Sequence, residues 1–248
     1  MMTAETLNAV AASSGKTDRG LVRPVNEDAF LDRCEDGLWV VADGMGGHDA
    51  GDVASRMIVE SLRSLPMEGS LAERLDSIED ALDQVNQHLL RRSIQEDGQR
   101  HIIGSTLVLF VIENAQLGAL LWAGDSRIYR SRNGQLSQLT ADHSQVETYI
   151  RQGIISREEA RSHPDRNIIT RAVGSQEDLY LEADLCEISP GDRYLLCSDG
   201  LTRHLEDHEI EDHLKQSASA EETAQRLIDL TLKRGAKDNV TAVVVDIL

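Results

Sequence analysis

Short apolar runs are the feature that most limits the folds open to this chain of 248 residues. They are bounded by Gly, Asn or Asp, and several are apolar throughout, which predicts strands buried on both faces. Strands of this kind need either a sheet covered by helices or two stacked sheets. The predicted strands are Ala29–Asp32, Leu38–Ala42, Thr106–Ile112, Leu117–Ala123, Arg127–Tyr129, Ile188, Tyr194–Cys197 and Val240–Ile247.

Three longer segments carry apolar residues at spacings of three and four, which predicts amphipathic helices. They lie at about 52–65, at 71–89 and in the segment that ends near Gly235. Their start signals are two capping boxes, Ser70 with Glu73 and Ser219 with Glu222. Because the helices group after the early strands and before the last one, the pattern favours a layered α+β domain over alternating βαβ units.

Charge and cysteine usage exclude several classes of protein. The net charge is −18, so a nucleic acid partner is not expected, since such partners require a basic face. Cys34, Cys186 and Cys197 form no paired framework, which favours a reducing cytoplasm. We see no signal-peptide pattern and no apolar stretch long enough for a membrane span, and therefore expect a cytoplasmic protein without membrane insertion. Residues 1–10 have little periodicity and are expected to form a flexible tail.

The positions of the acidic residues are the strongest functional signal. Four clusters put Asp or Glu at the end of an apolar strand, and a fifth comes just before the last strand. The clusters are Asn26-Glu27-Asp28, Val41-Ala42-Asp43-Gly44, Gly124-Asp125-Ser126-Arg127, Cys197-Ser198-Asp199-Gly200 and Lys237-Asp238-Asn239. Each cluster alone reads equally well as a turn. Five strand-end carboxylates together predict a shared centre for a hard cation such as Mg²⁺, Mn²⁺ or Ca²⁺, because a carboxylate is costly to desolvate without a partner.

Several motifs resemble those of the metal-dependent protein phosphatases (the PPM, or type 2C, family). Residues 17–28 resemble the family's opening motif, and residues 43–48 resemble its next motif in bacterial form. The resemblance covers about Ser14 to Asp246. The remaining motifs follow in the family's order: Gly104-Ser105-Thr106, Gly124-Asp125-Ser126-Arg127, Thr140 with Asp142-His143-Ser144, Thr170-Arg171-Ala172, Ser198-Asp199-Gly200 and Asp238-Asn239.

This resemblance implies a fold and a reaction. The fold would be a four-layer α-β-β-α sandwich, with two central antiparallel sheets flanked by helices, forming one catalytic domain over residues 11–248. The polar segment at about 145–165 would be a flap beside the active site. The protein would be a serine/threonine phosphatase that uses direct attack by a water activated at a dinuclear metal centre. Phosphoproteins, a cognate bacterial Ser/Thr kinase and its targets would be its partners, and the chain would be a monomer.

The resemblance also assigns roles to single residues. Two to three Mn²⁺ or Mg²⁺ ions would be bound, with Asp43 bridging two of them. One site would be completed by Glu27 and the Gly44 carbonyl, and the other by Asp199 and Asp238. The remaining assignments are Asp125 with Asp199 for a third metal, Asp28 for a water held by a metal, and Arg23 for the substrate phosphate.

The proton donor is left open by the sequence. Eukaryotic relatives have a histidine directly after the Asp-Gly pair, but Met45 stands there in this chain. His48 aligns as the general acid only with a gap, and a loop histidine without a catalytic role fits as well. His143 is expected to fix loop structure.

Three rival functions remain to be weighed. A phosphatase for another phosphoester stays open, because the motifs do not identify the substrate. A non-catalytic phosphatase-fold signalling or binding module is disfavoured, since every expected carboxylate is present. A calcium-binding protein is disfavoured because the sequence has no EF-hand loop.

Overall fold

Two antiparallel sheets form the centre of the protein. The computed structural model describes residues 11–46, 50–94, 101–216 and 218–248. The first sheet has the order β1-β11-β10-β7-β8, and the second has the order β2-β3-β5-β6-β9, with β4 paired to β3. The strands are β1 Ala11–Asp18, β2 Asp28–Arg33, β3 Leu38–Gly46, β4 Ile103–Ser105, β5 Leu107–Ile112, β6 Leu117–Ala123, β7 Arg127–Arg132, β8 Gln135–Gln138, β9 Glu182–Glu187, β10 Arg193–Cys197 and β11 Val240–Ile247.

Helices cover the outer face of each sheet. In chain order the helices are α1 Ala50–Arg63, α2 Leu71–Arg92, α3 Gln145–Arg151, α4 Arg157–Ser162, α5 Asp199–Thr202, α6 Asp207–Leu214 and α7 Ala220–Lys233. Helices α1 and α2 pack on the second sheet and α5, α6 and α7 on the first, whereas α3 and α4 lie in the segment between β8 and β9. Both predicted capping boxes are present, at Ser70 on α2 and at Ser219 on α7. Within the described ranges, no helix has the length and hydropathy needed to cross a bilayer.

Alternation along the strands divides the interior into three apolar layers. In β3, Val40 packs with α1 and α2, whereas Trp39 belongs to the layer between the two sheets. In β11, Val243 belongs to the same central layer, whereas Val244 packs with α6 and α7. The order of layers is therefore helix, sheet, sheet and helix, which confirms the predicted α-β-β-α sandwich.

Several elements differ from the sequence prediction. Strands β1, β4, β8 and β9 were not predicted, and Ile188 lies just beyond the end of β9. Strands β1, β8 and β9 were missed because they lie at sheet edges. An edge strand with a mostly polar sequence lacks the apolar run that marks a buried strand. Helices α5 and α6 were also missed, and α1 begins at Ala50, earlier than expected.

The segment between β8 and β9 carries the predicted flap. It contains α3, α4 and a 3₁₀ turn at Pro164–Asn167. We call residues 145–167 the flap below. Residues 1–10, predicted to be a tail, lie outside the described residues, and the domain boundaries at 11 and 248 stay a prediction.

Candidate metal centre

The acidic clusters meet at one edge of the sandwich. Asp28 begins β2 and lies directly opposite Asp43 in β3. Asp125 lies in the turn between β6 and β7, and Asp199 begins α5 directly after β10. Asp238 comes two residues before β11. The first and second sheets therefore both deliver carboxylates to the same place, as the five sequence clusters predicted.

Two glycines allow the strand ends to approach this closely. A Cβ atom on Gly200 would lie 1.8 Å from the carbonyl oxygen of Asn239. One on Gly44 would lie 2.1 Å from the Gly51 carbonyl oxygen and 2.6 Å from that of Glu27. Since no side chain fits in either position, glycine after Asp43 and after Asp199 is a packing requirement of the site.

Asp28 is buried and is held by hydroxyl groups. Its Oδ2 accepts hydrogen bonds from Ser198 Oγ at 2.8 Å and from Thr241 Oγ1 at 2.7 Å. Burial raises the pKa of Asp28 to about 6, although the two hydroxyl donors act in the opposite direction. These bonds join the start of β2 in one sheet to β10 and β11 in the other.

The other central carboxylates repel one another. Burial, followed by the charges of Asp28 and Asp199, raises the pKa of Asp43 well above its ordinary value. Burial and the charge of Asp125 do the same to the pKa of Asp199. Among the residues that the structure describes, the buried Oδ1 atoms of Asp28, Asp125 and Asp199 have no hydrogen-bond partner. Orphaned buried carboxylate oxygens in a crowded acidic site fit a hard divalent cation.

Glu27 lies beside the first turn of α1. A Cβ atom on Gly51 would be 2.5 Å from Glu27 Oε1, so the Glu27 carboxylate lies in close contact with the start of α1. Burial raises the pKa of Glu27, while the charge of Arg23 and the backbone N–H of Gly51 lower it. A helix N-terminus favours an anion in this position.

Asn239 fixes the loop that carries Arg23 and Glu27. Its Oδ1 accepts the backbone N–H of Glu27 at 2.8 Å. Its Nδ2 donates to the carbonyl oxygens of Arg19 at 2.8 Å and Val25 at 3.0 Å. Sequence reasoning placed Asn239 in an acidic cluster but missed this role, because the partners lie more than 200 residues away.

Two arginines neutralise part of the site. Arg23 Nε lies 2.7 Å from Asp238 Oδ1, and its Nη2 lies 2.8 Å from Oδ2. Arg203 contacts Asp238 at 3.1 Å and forms an ion pair with Asp199. Arg203 was not predicted, since it belongs to none of the motifs that carry the resemblance. Within the described part of the chain, no group of three His, Cys, Asp or Glu side chains forms a preformed metal site, so cation binding would require these ion pairs to open.

His143 holds the turn that carries Asp125. The Gly124 N–H donates to His143 Nδ1 at 3.2 Å, and the His143 N–H donates to the Gly124 carbonyl at 2.8 Å. The other ring nitrogen, Nε2, lies 2.8 Å from Glu182 Oε2. Since Nδ1 accepts, Nε2 carries the proton and donates to Glu182. Burial lowers the pKa of His143.

The structure thus gathers the predicted residues at one site, with one exception. Arg23, Glu27, Asp28, Asp43, Gly44, Asp125, Asp199 and Asp238 lie there, whereas His48 lies outside the described residues. Their assignment to particular metals, to a metal-held water and to the substrate phosphate stays a prediction.

Known proteins share this fold and sequence. A family model described as protein phosphatase 2C matches residues 22–244. The serine/threonine protein phosphatase PstP of Mycobacterium tuberculosis is 39% identical over 240 residues, which are 95% of this chain and 45% of that relative. A solved structure described as PppA, a key regulatory component of T6SS in Pseudomonas aeruginosa, has 41% identity and a TM-score of 0.87, covering 96% of this chain and 98% of that one.

A third comparison concerns metal. The catalytic domain of the serine/threonine protein phosphatase PstP, in complex with 2 manganese ions, has 35% identity and a TM-score of 0.83, covering 96% of this chain and 99% of that one. Fold, acidic site and relatives together place the chain among proteins with the phosphatase fold that the sequence motifs resemble. More particularly, the chain belongs to the protein phosphatase 2C family. It spans about half the length of the mycobacterial relative.

Proposed function

We propose that this protein hydrolyses phosphoserine and phosphothreonine in proteins, using two to three Mn²⁺ or Mg²⁺ ions. The observation that carries the proposal is the set of buried carboxylates with unpartnered oxygens beside Arg23. Glu27, the Gly44 carbonyl, Asp43, Asp199, Asp238 and Asp125 would hold the ions. Bound ions would lower the pKa of a water and offset the negative charge of the phosphate.

Arg23 is suited to hold the substrate phosphate. Its guanidinium already makes a two-pronged contact with the carboxylate of Asp238, and the same fork can grip two phosphate oxygens. Its side chain is 47% exposed, so a substrate can reach it. Asp28 would orient the attacking water, because its Oδ2 is occupied by Ser198 and Thr241, whereas its Oδ1 has no partner among the described residues and can accept a hydrogen bond.

Direct attack by water agrees with the side chains around the site. Ser198 and Ser126 are buried, and both hydroxyls are engaged in hydrogen bonds, with Asp28 and Thr106 respectively. Cys197 is also buried, and burial raises the pKa of its thiol to about 12. None of these three groups is a competent nucleophile, since each is inaccessible to a phosphate. His48 remains our proposed proton donor to the leaving group.

Hydrolysis of an aryl phosphate and of a phosphothreonine peptide tests the proposal. We expect both to be hydrolysed with Mn²⁺, and neither with a chelator or by the Asp43→Asn variant. Activity that survives chelation and substitution would rule out the metal centre. Inactivity with every metal would favour the non-catalytic binding module, and hydrolysis of small phosphoesters alone would favour a metabolite phosphatase.

A second experiment tests direct attack. Acid quenching during turnover of ³²P-labelled phosphopeptide should leave the protein unlabelled, and the alcohol should be released without an initial burst. Covalent labelling of the protein would instead establish a phosphoenzyme.

We further propose that the protein acts in the cytoplasm, as a monomer, against a bacterial Ser/Thr kinase and the targets of that kinase. Family membership and the names of the relatives support the pairing. Incubation of the purified protein with phosphoproteins made by such a kinase tests it, and failure to dephosphorylate any of them would contradict it.

A further inference from the structure

A groove leads away from the acidic site. Its volume is about 620 Å³, and one end contains Asp125, Asp199 and Asp238. The flap forms one wall, and residues 199–207 with 237–238 form the other. The ion pair between Arg161 on α4 and Glu206, 2.6 Å long, crosses from one wall to the other. The groove is therefore continuous with the proposed phosphate site and is wide enough for more than a phosphate.

Cationic side chains collect along this groove although the chain as a whole is strongly acidic. Six of the 25 Lys and Arg residues line it. Two of them, Arg127 and Arg203, pair with carboxylates at or near the acidic end. The other four are Arg157, Arg161 and Arg166 on the flap and Lys237 on the opposite side of the groove, and we call these four residues together the basic wall.

The basic wall is weakly neutralised by the protein. Arg166 donates to the His163 carbonyl at 3.3 Å, and within the described residues neither Arg166 nor Lys237 forms an ion pair. Arg157 contacts Glu147 at 3.4 Å, with 76% of its side chain exposed, and Arg161 is 68% exposed. Exposed ion pairs of this kind contribute little, so an incoming anion can replace them.

Charge along the groove changes once cations occupy the acidic end. Asp125, Asp199 and Asp238 would then be neutralised, and Asp142 is already paired with Arg127. The carboxylates left along the groove are Glu147, Glu206 and Asp207. They face the four cations of the basic wall and Arg203, so the groove beyond the phosphate site would be positive, although the chain as a whole has a net charge of −18.

We propose that the basic wall is a subsite for a second anionic group of the substrate. That group is a phosphate or carboxylate side chain close in sequence to the phosphorylated serine or threonine, and it is held by charge-assisted hydrogen bonds. This inference rests on the proposed function and adds to it a preference for acidic or multiply phosphorylated segments.

Matched phosphothreonine peptides test the subsite. Each carries phosphoserine, Asp, Ala or Lys at one of three positions on either side of the phosphothreonine. We expect kcat/KM to be about tenfold higher for an anionic residue than for Ala at one or more positions, mainly through KM, and lower for Lys. The phosphoserine and Asp arms show whether phosphate or carboxylate is preferred. The preference should weaken as salt is added.

Charge reversal identifies the residues. In the double variant Arg161→Glu and Arg166→Glu, the preference for anionic peptides should vanish, and Lys peptides should become the better substrates. In Glu206→Gln, which releases Arg161, the preference should increase. Arg226→Glu is the matched control, since this exposed arginine on α7 is remote from the groove and should leave the preference unchanged.

Three outcomes overturn the subsite. They are equal kcat/KM for anionic and Ala peptides, an intact preference in the double variant, and loss of the preference in Arg226→Glu. Aryl phosphate hydrolysis by the double variant verifies a folded centre, and Arg166→Gln offers a milder substitution. Failure to hydrolyse any peptide or aryl phosphate would overturn the proposed function as well, so the two failures are distinguishable.

Discussion

Asp43 occupies the most crowded position among the carboxylates. Asp28, Asp199, Asp125 and Asp238 all raise its pKa in addition to burial. Without cations this side chain is held against strong repulsion, which the fold tolerates because neighbouring elements fix the backbone on both sides. A residue kept in such a position serves chemistry at the expense of stability.

Replacing Asp43 with Asn should separate these two effects. We expect kcat for aryl phosphate to fall at least about 10²-fold, while the chelated protein gains about 1–2 kcal/mol in its free energy of unfolding, because one repelling charge is removed. Urea unfolding with chelator measures the gain. Asp80→Asn, an exposed change on α2, is the control. A less stable Asp43→Asn protein would contradict the electrostatic argument.

Arg203 competes with cations for Asp199 and Asp238. We expect Arg203→Gln to bind Mn²⁺ about fivefold more tightly, because the metal no longer has to displace a guanidinium. The chelated variant should be less stable than wild type, because Asp199 and Asp238 lose a counter-charge. Calorimetric Mn²⁺ titration and chelated thermal unfolding measure the two effects. Weaker Mn²⁺ binding would mean that Arg203 supports the site.

Asn239 should matter chiefly for stability and for the position of Arg23. Asn239→Ala leaves the Glu27 N–H and two carbonyl groups without their partner, which should cost about 2–3 kcal/mol. Denaturant unfolding of this variant and of the exposed control Asn167→Ala measures the difference. A loss below that of the control would show that water replaces these bonds.

At the scale of elements, the flap is attached to the first sheet by a buried network. Arg127 at the start of β7 makes a two-pronged contact with Asp142, with a shortest distance of 2.7 Å, and also donates to the Tyr129 hydroxyl at 2.8 Å. Asp142 lies directly before His143 and Ser144, and Ser144 is the N-cap of α3. The position of the flap is therefore coupled to the turn between β6 and β7, which carries Asp125.

Arg127→Met should disturb both ends of this connection. We expect a loss of about 2–3 kcal/mol, since Asp142 would lose its ion-pair partner and keep only the hydrogen bond from Gln138. In the double variant Arg127→Met and Asp142→Asn, part of the lost free energy of unfolding should be restored. Chemical denaturation of wild type, the two single variants and the double variant gives the coupling energy between the two side chains. Additive losses would mean that the two side chains act independently.

Prediction from sequence succeeded for elements with a local signal. The stripe from Leu71 to Leu89 and the Ser70 cap depend only on neighbours in the chain, and both are present in α2. Strand β1 was not predicted, because its pairing with β11 is specified by residues more than 200 positions away. At the site, Asp43 and Asp199 were found through strand-end carboxylates. Arg203 was not found, and Asn239 was found without its hydrogen-bonding role, because the partners of both side chains are set by tertiary contacts.

At the scale of the whole molecule, the acidic site makes metal-free stability depend on pH. The pKa values of Asp28 and Asp125 are raised to about 6 in the folded protein. A raised folded pKa means that the folded state binds the proton more tightly. Its stabilising contribution is complete below the unfolded value of about 4 and is lost as pH rises through about 6. Glu209, whose pKa is lowered by Arg234, acts in the opposite direction.

We therefore expect the chelated wild-type protein to lose about 2 kcal/mol, relative to Asp125→Asn, between pH 4.5 and 7. Saturating Mn²⁺ should remove this difference, because cations favour the ionised carboxylates. Urea unfolding across that range measures it. If wild type instead lost stability relative to Asp125→Asn as the pH is lowered, Asp125 would be ionised at low pH in the folded state.

The position of β11 has a consequence for how the protein is made. This strand follows all the others along the chain, yet it lies between β1 and β10 and is preceded by Asp238. During synthesis on a ribosome, β1 has no partner strand, and β10 is paired only with β7, until residues 240–247 have emerged. The proposed metal centre is therefore incomplete in the nascent chain while those residues remain in the exit tunnel, and the exposed edges of β1 and β10 are open to wrong pairing in that interval.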